Sequence, residues 1–430
     1  MTDMKILFEN VMLPALSAGE RRFVTVEGAR ISAIDTVRPK GDFDRVIAGE
    51  GKLLMPGFVN AHTHAAMTLF RGYGADLPLH RWLTERIFPA EDRLTERAVE
   101  VGTRLSVAEM LAAGVTSFSD MYFFCDATAR VVAETGIKAN ISRSVVSFDD
   151  SADYSKDERV LEALSLYERW NGAEDGRILV DLSLHAEYTN RLPAVAYMAD
   201  RAAALGTRVH IHLSETEKEH AECIERHGVT PTGFFLRGGL LNVPVVAAHG
   251  VYLTDEDRAV LATHGASVVH NPVSNLKLGS GIMPLEATMA AGVNVALGTD
   301  GASSNNRLDL LRELQTALLL VKGTTRRPDC LTAEAAVALA TENGARAQGR
   351  ADVGRVAVGA RADLILLDLT APHNLPVVTP EASLCYSATS SDVCLTMVDG
   401  RILYENGEFY TLDVEKLKAE FNDICAHYFD

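Results

Sequence analysis

Eight short apolar runs alternate with helical stretches between residues 56 and 350, and this rhythm limits the fold more than any other feature of the sequence. The runs are Phe58–Asn60, Gly114–Phe118, Ile137–Ile141, Ile178–Leu184, Arg208–Leu213, Val243–Ala248, Ala266–His270 and Val293–Leu297. Continuous apolar strands separated by helices indicate a parallel sheet covered by helices. Eight such units favour an α/β fold with a closed (β/α)8 barrel of the TIM type, although an open doubly wound sheet shares the rhythm.

The two ends of the chain have a different texture. Residues 5–55 read as short strands broken by Gly and Asp, and strand-like segments return at 362–368 and 394–404. Asp399-Gly400 is a hairpin-turn signal within the second group. The simplest arrangement is one small β-sandwich domain built from residues 1–55 and 351–430, flanking a catalytic barrel of residues 56–350.

Composition limits which kinds of binding partner and which cellular compartment we expect for the protein. The 430 residues carry a formal net charge of -17, whereas phosphate binding needs clustered Lys and Arg, so we expect no nucleic acid and no membrane as a partner. The first residues meet charge too soon for a signal peptide, and no apolar run is long enough to cross a bilayer. The six scattered cysteines read as reduced thiols. We therefore expect a cytoplasmic protein, with a homo-oligomer left open.

Two histidines end the first apolar run. His62 and His64 are separated by one residue, so their side chains share a face on an extended strand. Imidazole is the commonest metal ligand near neutral pH. Because His-x-His also occurs in packed and surface strands, the pair alone is only half of a metal site.

Polar residues also end three later strands, at the face where barrel enzymes build active sites. His212 lies near the end of the fifth strand and Glu215 follows that strand, His249 follows the sixth and Asp300 follows the eighth. Glu215 is near enough to His212 to shuttle protons without being a ligand, and His249 is free to hydrogen-bond a metal-bound hydroxide. The predicted N/O ligand set, which suits one divalent ion and leaves a position for water, is His62, His64, His212 and Asp300.

Two residues, Asp300 and His210, also have purely structural interpretations. An Asp that follows Gly-Thr at a strand end, as Asp300 does, is often a helix cap. His210 shares a face with His212 but lies one layer deeper, which predicts a hydrogen-bonded core residue. Four candidate ligands and two acid–base groups fall at one end of one barrel. We therefore interpret Asp300 as a metal ligand and not as a helix cap.

Five segments of the chain resemble motifs of the amidohydrolase superfamily, and the resemblance extends over essentially the whole length. It is closest to the branch of adenosine-type deaminases that act on 5′-methylthioadenosine and S-adenosylhomocysteine, which also have the split β domain. The matching segments are 56–64, 212–216, 247–251, 270–279 and 297–306.

The fourth strand indicates the subtype. Binuclear members of the superfamily carry a metal-bridging Lys at its end, whereas this strand ends in His185. The resemblance therefore implies a single metal ion, with Zn²⁺ favoured and Fe²⁺, Mn²⁺ or Ni²⁺ as alternatives. The His-x-Glu and Pro-Cys-x-x-Cys signature of cytidine-type zinc deaminases is missing.

The implied reaction converts the adenine moiety of a nucleoside to hypoxanthine with release of ammonia. Asp300 and His249 would hold the metal-activated hydroxide and accept its proton, while Glu215 would protonate the ring nitrogen beside the attacked carbon. The catalytic residues predicted from the sequence are thus Glu215, His249 and Asp300.

Substrate contacts are predicted in part from composition and in part from the resemblance. Leu69–Asp92 follows the first strand, and its Trp82 and Glu91 have the apolar-plus-carboxylate character of a nucleoside lid. By resemblance, Glu91 binds the ribose hydroxyls, His185 contacts the purine or ribose, and Arg143, just past the third strand, meets an amino-acid carboxylate. The plainer reading of Glu91 is a first-turn residue that complements a helix dipole.

Two departures from the family pattern bear on the substrate. The family often has His-Ala-Pro-Tyr after strand four, whereas this chain has His185-Ala186-Glu187-Tyr188. The loop 148–157 carries four aspartates and one lysine, a poor receptor for a carboxylate. Nucleosides with a neutral 5′ substituent (5′-methylthioadenosine, 5′-deoxyadenosine, adenosine) are therefore favoured over S-adenosylhomocysteine.

Two alternatives to a nucleoside deaminase remain at this stage. One is another mononuclear amidohydrolase acting on a free base or heterocycle, namely a guanine, triazine or pterin deaminase or chlorohydrolase. The other is a non-catalytic barrel kept as an interaction scaffold, which would be expected to show eroded ligands, whereas all six metal and catalytic positions are intact.

Overall fold

The computed structural model describes residues 4–16, 19–426 and 428. Its strands are β1 Lys5–Val11, β2 Arg22–Glu27, β3 Arg30–Asp35, β4 Arg45–Ala48, β5 Lys52–Pro56, β6 Phe58–Thr63, β7 Val115–Tyr122, β8 Lys138–Val145, β9 Ile178–Val180, β10 Leu182–Leu184, β11 Val209–Leu213, β12 Val245–His249, β13 Ser267–His270, β14 Asn294–Leu297, β15 Leu364–Asp368, β16 Val393–Val398, β17 Arg401–Glu405 and β18 Glu408–Phe409. Its α-helices are α1 Leu79–Trp82, α2 Phe88–Glu91, α3 Glu96–Ala112, α4 Cys125–Thr135, α5 Glu158–Trp170, α6 Ala173–Gly176, α7 Leu192–Leu205, α8 Glu217–His227, α9 Pro231–Arg237, α10 Asp255–Thr263, α11 Pro272–Lys277, α12 Leu285–Ala290, α13 Ala302–Asn305, α14 Leu310–Thr325, α15 Ala333–Ala340, α16 Glu342–Ala347, α17 Pro380–Tyr386 and α18 Val414–Ala426.

A parallel sheet runs from β6 to β14 and forms the barrel. The strands pair in the order β6, β7, β8, β10, β11, β12, β13, β14, and β9 joins β8 just before Asp181 interrupts the fourth strand. Strands β7 and β11 are buried at every position, because helices cover the outside of the barrel and side chains fill its inside. The predicted (β/α)8 barrel is confirmed.

The sheet approaches closure where β14 meets β6. The amide of Asp300, three residues past β14, donates to the carbonyl oxygen of His62 over 3.0 Å. Asn60 donates through Nδ2 to Thr299 Oγ1 at 2.8 Å, and its Oδ1 accepts from the Thr299 amide at 3.0 Å. These bonds bring the last predicted metal ligand beside the first.

Strands β7 and β8 extend further than the apolar runs predict. Polar side chains such as Asp120 and Ser142 are buried in their second halves, where Asp120 Oδ1 accepts from the Ala65 amide and Ser142 Oγ donates to the Asp120 carbonyl oxygen. A reading based on hydrophobicity stops at the first of these polar residues. Arg143 therefore lies inside β8, and the prediction that it follows the third strand is wrong.

Two antiparallel-rich sheets from the chain ends pack face to face. One has the order β3-β2-β1-β4 and the other β18-β17-β16-β15-β5, so that β5 pairs with β15 from the far end of the sequence. The core between them is apolar and includes Ile6, Phe8, Val24, Leu54, Leu364, Leu395 and Met397. This is the predicted β-sandwich, and it confirms the fold class as a whole.

The last two α-helices, α17 and α18, pack on helices of the barrel domain. Helix α17 contacts α14 and α15, and α18 packs on α3 of the barrel through Leu417, which meets Val101 and Ala108. The amphipathic faces of these helices are buried against barrel helices rather than against a sheet. The proposed domain boundaries at 55/56 and 350/351 stay predictions.

None of the helices in the described ranges combines the length and the apolar composition that a membrane span requires. The six cysteines are all free thiols, as the sequence predicts.

Candidate metal centre and active site

Four predicted ligand side chains converge at the carboxyl end of the barrel. Asp300 Oδ1 lies 3.2 Å from His64 Nε2 and 3.5 Å from His62 Nε2. His212 Nε2 lies 3.4 Å from His64 Nε2. The two-residue period of the strand puts His62 and His64 on one face, and the barrel brings the other two residues to them.

The second nitrogen of each imidazole is already engaged. His64 Nδ1 bonds the carbonyl oxygen of Met121 at 2.6 Å, and His212 Nδ1 bonds that of His185 at 2.8 Å. A carbonyl only accepts, so these bonds assign a proton to Nδ1 and aim Nε2 at the centre. Although burial opposes it, Asp300 raises the pKa of His64 to about 9, so His64 must release its Nε2 proton to bind a metal ion.

His62 is oriented by another histidine. Its Nδ1 lies 3.0 Å from Nε2 of His210, which is buried one layer deeper in the barrel. The prediction that His210 is a hydrogen-bonded core residue is confirmed. In addition, the contact shows that His210 fixes the ring plane of a candidate ligand.

Asp300 is held by hydroxyl groups from two loops. Its Oδ2 accepts from Ser274 Oγ at 2.7 Å and from Ser304 Oγ at 2.8 Å, which turns Oδ1 toward the histidines. Burial raises the pKa of Asp300, but the adjoining imidazoles of His62 and His64 outweigh it and hold that pKa well below its usual range. A carboxylate in this state is ready to ligate a cation.

The donor set fits a divalent metal ion. His62 Nε2 is buried and has no hydrogen-bond partner among the described residues, although it lies within a group of converging donor atoms. Burial lowers the pKa of His62 to about 4, so its ring is neutral, as a metal ligand must be. Three imidazoles and one carboxylate form a site for one metal ion.

His249 stands beside this centre and is a candidate for either of two roles. Its Nδ1 bonds Asn275 Oδ1 at 2.9 Å, which assigns a free lone pair to Nε2. That Nε2 lies 3.9 Å from Glu215 Oε2 and within ligand range of His62 and His212. The geometry allows both the predicted role of proton acceptor and that of a further metal donor.

Glu215 is buried at the end of β11 with its backbone fixed. The carboxylate of Glu219, in the first turn of α8, accepts from the amides of Ser214 at 3.0 Å and Glu215 at 2.7 Å. Burial raises the pKa of Glu215, which favours its protonated form. The sequence analysis did not assign Glu219 a role, because spacing alone does not reveal that it bonds backwards to these amides.

Three non-glycine residues at the centre adopt a left-handed backbone. The φ angles are +47° at Ser214, +79° at His249 and +58° at Asp300. Such angles are uncommon outside glycine and cluster at functional sites, where the surrounding structure holds them. Each of the three lies at or just after the carboxyl end of a barrel strand, and the side chains of His249 and Asp300 reach the converging donor atoms.

A cavity of about 1230 Å³ opens above the metal centre, and all four predicted substrate contacts line it. Trp82 is buried and donates from Nε1 to the carbonyl oxygen of Tyr73 at 3.2 Å. Glu91 accepts from the Tyr122 hydroxyl at 2.8 Å. The segment that carries both is helical, since a π-helical turn, Leu83–Ile87, joins α1 to α2.

The other two predicted substrate contacts are His185, which directly follows β10, and Arg143, which lies in β8. His185 bonds Thr189 Oγ1 through Nδ1 at 3.0 Å, and its ring centroid is 4.9 Å from that of His212. Arg143 pairs through Nε with Glu162 at 2.6 Å, and its guanidinium lies 5.2 Å from the Phe123 ring centroid. The positive charge of Arg143 is thus already matched by a carboxylate from α5.

The structure explains why Glu187 can occupy a position where the family often has proline. Its carboxylate is fully buried and accepts from Arg226 Nη2 at 2.8 and 3.1 Å, while His227 Nε2 lies 3.0 Å away. This cluster ties the turn after His185 to the end of α8. The contact joins residues far apart in sequence, so no local sequence pattern predicts it.

Replacing Arg226 by Met should lower the free energy of unfolding by about 2–3 kcal/mol, because the buried carboxylate of Glu187 keeps only His227 as a charged partner among the described residues. The expected loss is at the low end of the range for buried pairs because the Arg226 side chain is 35% exposed. Denaturant unfolding checks this. Glu222→Gln is the control, because it breaks only exposed pairs, with Arg226 and with Lys218, and should stay within about 0.5 kcal/mol. Equal losses in the two variants would contradict the role of Glu187.

The barrel and its convergent donors define an enzyme class with one metal site at the carboxyl ends of the strands. Comparison with known proteins gives the family, since a model of the amidohydrolase family matches residues 53–403. The chain belongs to the amidohydrolase family and is a hydrolase. The predicted resemblance is confirmed.

Similar proteins cover nearly the whole chain. A 5-methylthioadenosine/S-adenosylhomocysteine deaminase of Moorella thermoacetica is 45% identical over 378 residues, which are 88% of this chain and 87% of the relative. A 5′-deoxyadenosine deaminase of Methanothermobacter thermautotrophicus is 42% identical over 416 residues, 96% of each chain. The crystal structure of an adenosine deaminase from Xanthomonas campestris with bound zinc has a TM-score of 0.93 at 34% identity and covers 99% of this chain and 98% of the other.

Proposed function

We propose that the protein is a hydrolytic deaminase of adenine nucleosides that releases ammonia and leaves hypoxanthine on the sugar. The observation that carries the proposal is that, among the carboxyl groups lining one cavity, two are placed for separate tasks. Glu215 lies at the metal centre, and Glu91 lies on the helical segment that borders the same cavity. The first suits proton delivery to a base, and the second suits hydrogen bonds from a ribose.

The cofactor we propose is one Zn²⁺ ion held by His62, His64, His212 and Asp300, with Fe²⁺, Mn²⁺ or Ni²⁺ as alternatives. The zinc in the similar adenosine deaminase structure supports this choice. When bound, such an ion acts as a Lewis acid and makes water acidic enough to be a nucleophile near neutral pH.

The protein groups then divide the proton transfers. His249 Nε2 carries a free lone pair beside the centre and accepts the proton of the attacking water. The carboxyl of Glu215, whose pKa is raised by burial, gives a proton to the purine ring nitrogen next to the attacked carbon. Asp300, fixed by two serine hydroxyls, holds the nucleophile in line, accepts the remaining proton of the oxygen that has attacked and passes it to the departing amine, which leaves as ammonia.

The 5′ substituent that we favour is neutral, as in 5′-methylthioadenosine, 5′-deoxyadenosine or adenosine. Arg143, the residue that would meet the carboxylate of S-adenosylhomocysteine, is paired with Glu162. A substrate carboxylate would have to compete with that partner. The names of the relatives support the nucleoside class without separating these substrates.

The Michaelis constant for adenosine should fall about tenfold between about pH 6 and about pH 8, because burial raises the pKa of Glu91 to about 7. Only the ionised carboxylate accepts from two ribose hydroxyls, so binding improves as pH rises through that pKa. Steady-state kinetics with adenosine and with free adenine check this. Adenine lacks the ribose, so its pH dependence reflects only the titration of groups other than Glu91. Glu91→Gln should remove the difference in pH dependence; an unchanged difference would contradict the ribose contact.

An ammonia-release assay of the metal-loaded protein across purine nucleosides and bases tests the function. We expect turnover of adenine nucleosides and weak or no turnover of guanine, triazines and pterins, which are the substrates of the alternative. Preference for a free base or heterocycle would overturn the proposal in favour of that alternative. The cytoplasmic location, the lack of nucleic-acid and membrane partners, and any homo-oligomer stay predictions.

A further inference from the structure

A buried carboxyl group that the proposed reaction does not use is held between two loops at the carboxyl end of the barrel. Glu313, in the first turn of α14, is 0% exposed. Its Oε2 accepts from the amide of Val273 at 3.0 Å, and its Oε1 accepts from Asn305 Nδ2 at 2.7 Å. Capping of α14 does not require this residue, because Asp309 already accepts from the Arg312 amide as the N-cap.

The two groups that Glu313 holds belong to the two loops that orient Asp300. Val273 precedes Ser274 on α11, and Asn305 follows Ser304 on α13. These serines are the residues that donate to Asp300 Oδ2. One carboxylate therefore spans both halves of the hydroxyl clamp on a metal ligand.

The same link reaches the proton acceptor. Asn275, also on α11, bonds His249 Nδ1 and so sets the direction of its Nε2. On the other side, Asn305 Nδ2 also donates to the Thr299 carbonyl oxygen at 2.7 Å, at the end of β14. A displacement of α11 relative to α13 would turn Asp300 and His249 together.

We propose that Glu313 is a positioning residue that joins the loops after β13 and β14 and thereby fixes both Asp300 and His249 for metal binding and catalysis. The inference rests on the metal site of the proposed function. It assigns the alignment of two functional side chains, which come from different strands, to one side chain that touches neither.

Glu313→Gln tests the link, because the amide keeps one acceptor oxygen and presents N–H groups to a donor. Loss of such outer partners typically weakens metal affinity or activity by 10- to 100-fold, and we expect a drop of about that size in Zn²⁺ affinity, measured by competition with a chromogenic chelator. Where turnover is measured, kcat for adenosine should fall while KM changes little. This affinity readout needs no substrate, so a wrong substrate assignment leaves the test valid.

The matched control is Asp309→Ala, which removes the cap at the same end of α14. It should lower the thermal midpoint and leave Zn²⁺ affinity unchanged; an equal loss of affinity in both variants would show that Glu313 is merely structural. If Glu313→Gln fails to fold, Asn305→Ala, which cuts one arm of Glu313 together with the bond from Asn305 to the Thr299 carbonyl oxygen, should still weaken Zn²⁺ binding. Retention of full affinity in Asn305→Ala, or in a folded Glu313→Gln, overturns the proposal.

A double-mutant cycle separates a direct link from a general loosening. If Glu313 acts through the serine clamp, Glu313→Gln combined with Ser304→Ala should weaken Zn²⁺ affinity by much less than the product of the single effects. Full multiplication of the two effects would mean that Glu313 does not act through Ser304, and the proposal would fail.

Discussion

Replacing Glu215 by Gln lowers kcat by about 10²–10⁴-fold, the range that a positioned general acid or base contributes, and leaves the metal content of the protein unchanged. The reason is that the Gln amide keeps the volume and polarity of the side chain but has no transferable proton. Glu215 lies 3.9 Å from His249 and is not among the four ligands, so the metal site should persist. Steady-state kinetics and elemental analysis of the same preparation check both halves of the prediction.

The control for this variant is Glu217→Gln. Glu217 is an exposed residue in the first turn of α8, two positions along the chain. It loses the same charge near the same helix terminus and should keep full turnover. Unchanged kcat in Glu215→Gln would remove Glu215 from the mechanism, and loss of metal in that variant would make it a structural part of the site instead.

Removing the metal, either with a chelator or by Asp300→Ala, should abolish turnover and also lower stability. Because the ion binds the folded chain, metal at about 1,000 times its Kd stabilises the protein by about 4 kcal/mol, and this amount should disappear on chelation. Thermal and denaturant unfolding with and without Zn²⁺ measure it. Among the described residues, Asp300 is the only carboxylate in the converging donor groups, and its Oδ1 lies 3.2 and 3.5 Å from two imidazole nitrogens.

Re-addition of Zn²⁺ separates the two treatments. The chelated unchanged protein should regain its turnover and its unfolding midpoint, whereas Asp300→Ala should regain neither at the same metal concentration. Turnover that survives chelation, or full recovery of the Asp300→Ala variant, would contradict a reaction that depends on this centre.

Much of the framework could be predicted from local pattern. Period-two spacing on β6 predicts that His62 and His64 point the same way, and the rings do lie 4.9 Å apart at their centroids. Apolar runs predict all eight barrel strands, since a strand buried on both faces needs a continuous apolar sequence. The same reasoning stopped too early in β7 and β8, where buried polar groups such as Asp120 find a hydrogen-bond partner only in the folded barrel.

The parts that could not be predicted are contacts between residues far apart in sequence. Nothing near Glu187 predicts its bond to Arg226, and nothing near Glu313 predicts that it reaches Val273, forty positions away. The segments 270–279 and 297–306 do carry a signal through the family resemblance. However, the tasks of Ser274 and Ser304 become visible only when both hydroxyls are seen to meet one oxygen of Asp300.

The sequence by itself determined which chemistry is available: imidazoles and carboxylates at strand ends, in an order that resembles one enzyme family. Strand periodicity and strand-end position are local properties, and local properties can be read along a chain. Only the tertiary structure decided how these groups are aimed, through His210 on His62, the serine pair on Asp300 and the left-handed backbone at His249. The physical reason is that a hydrogen bond depends on distance and angle between groups that the barrel, and no short segment, brings together.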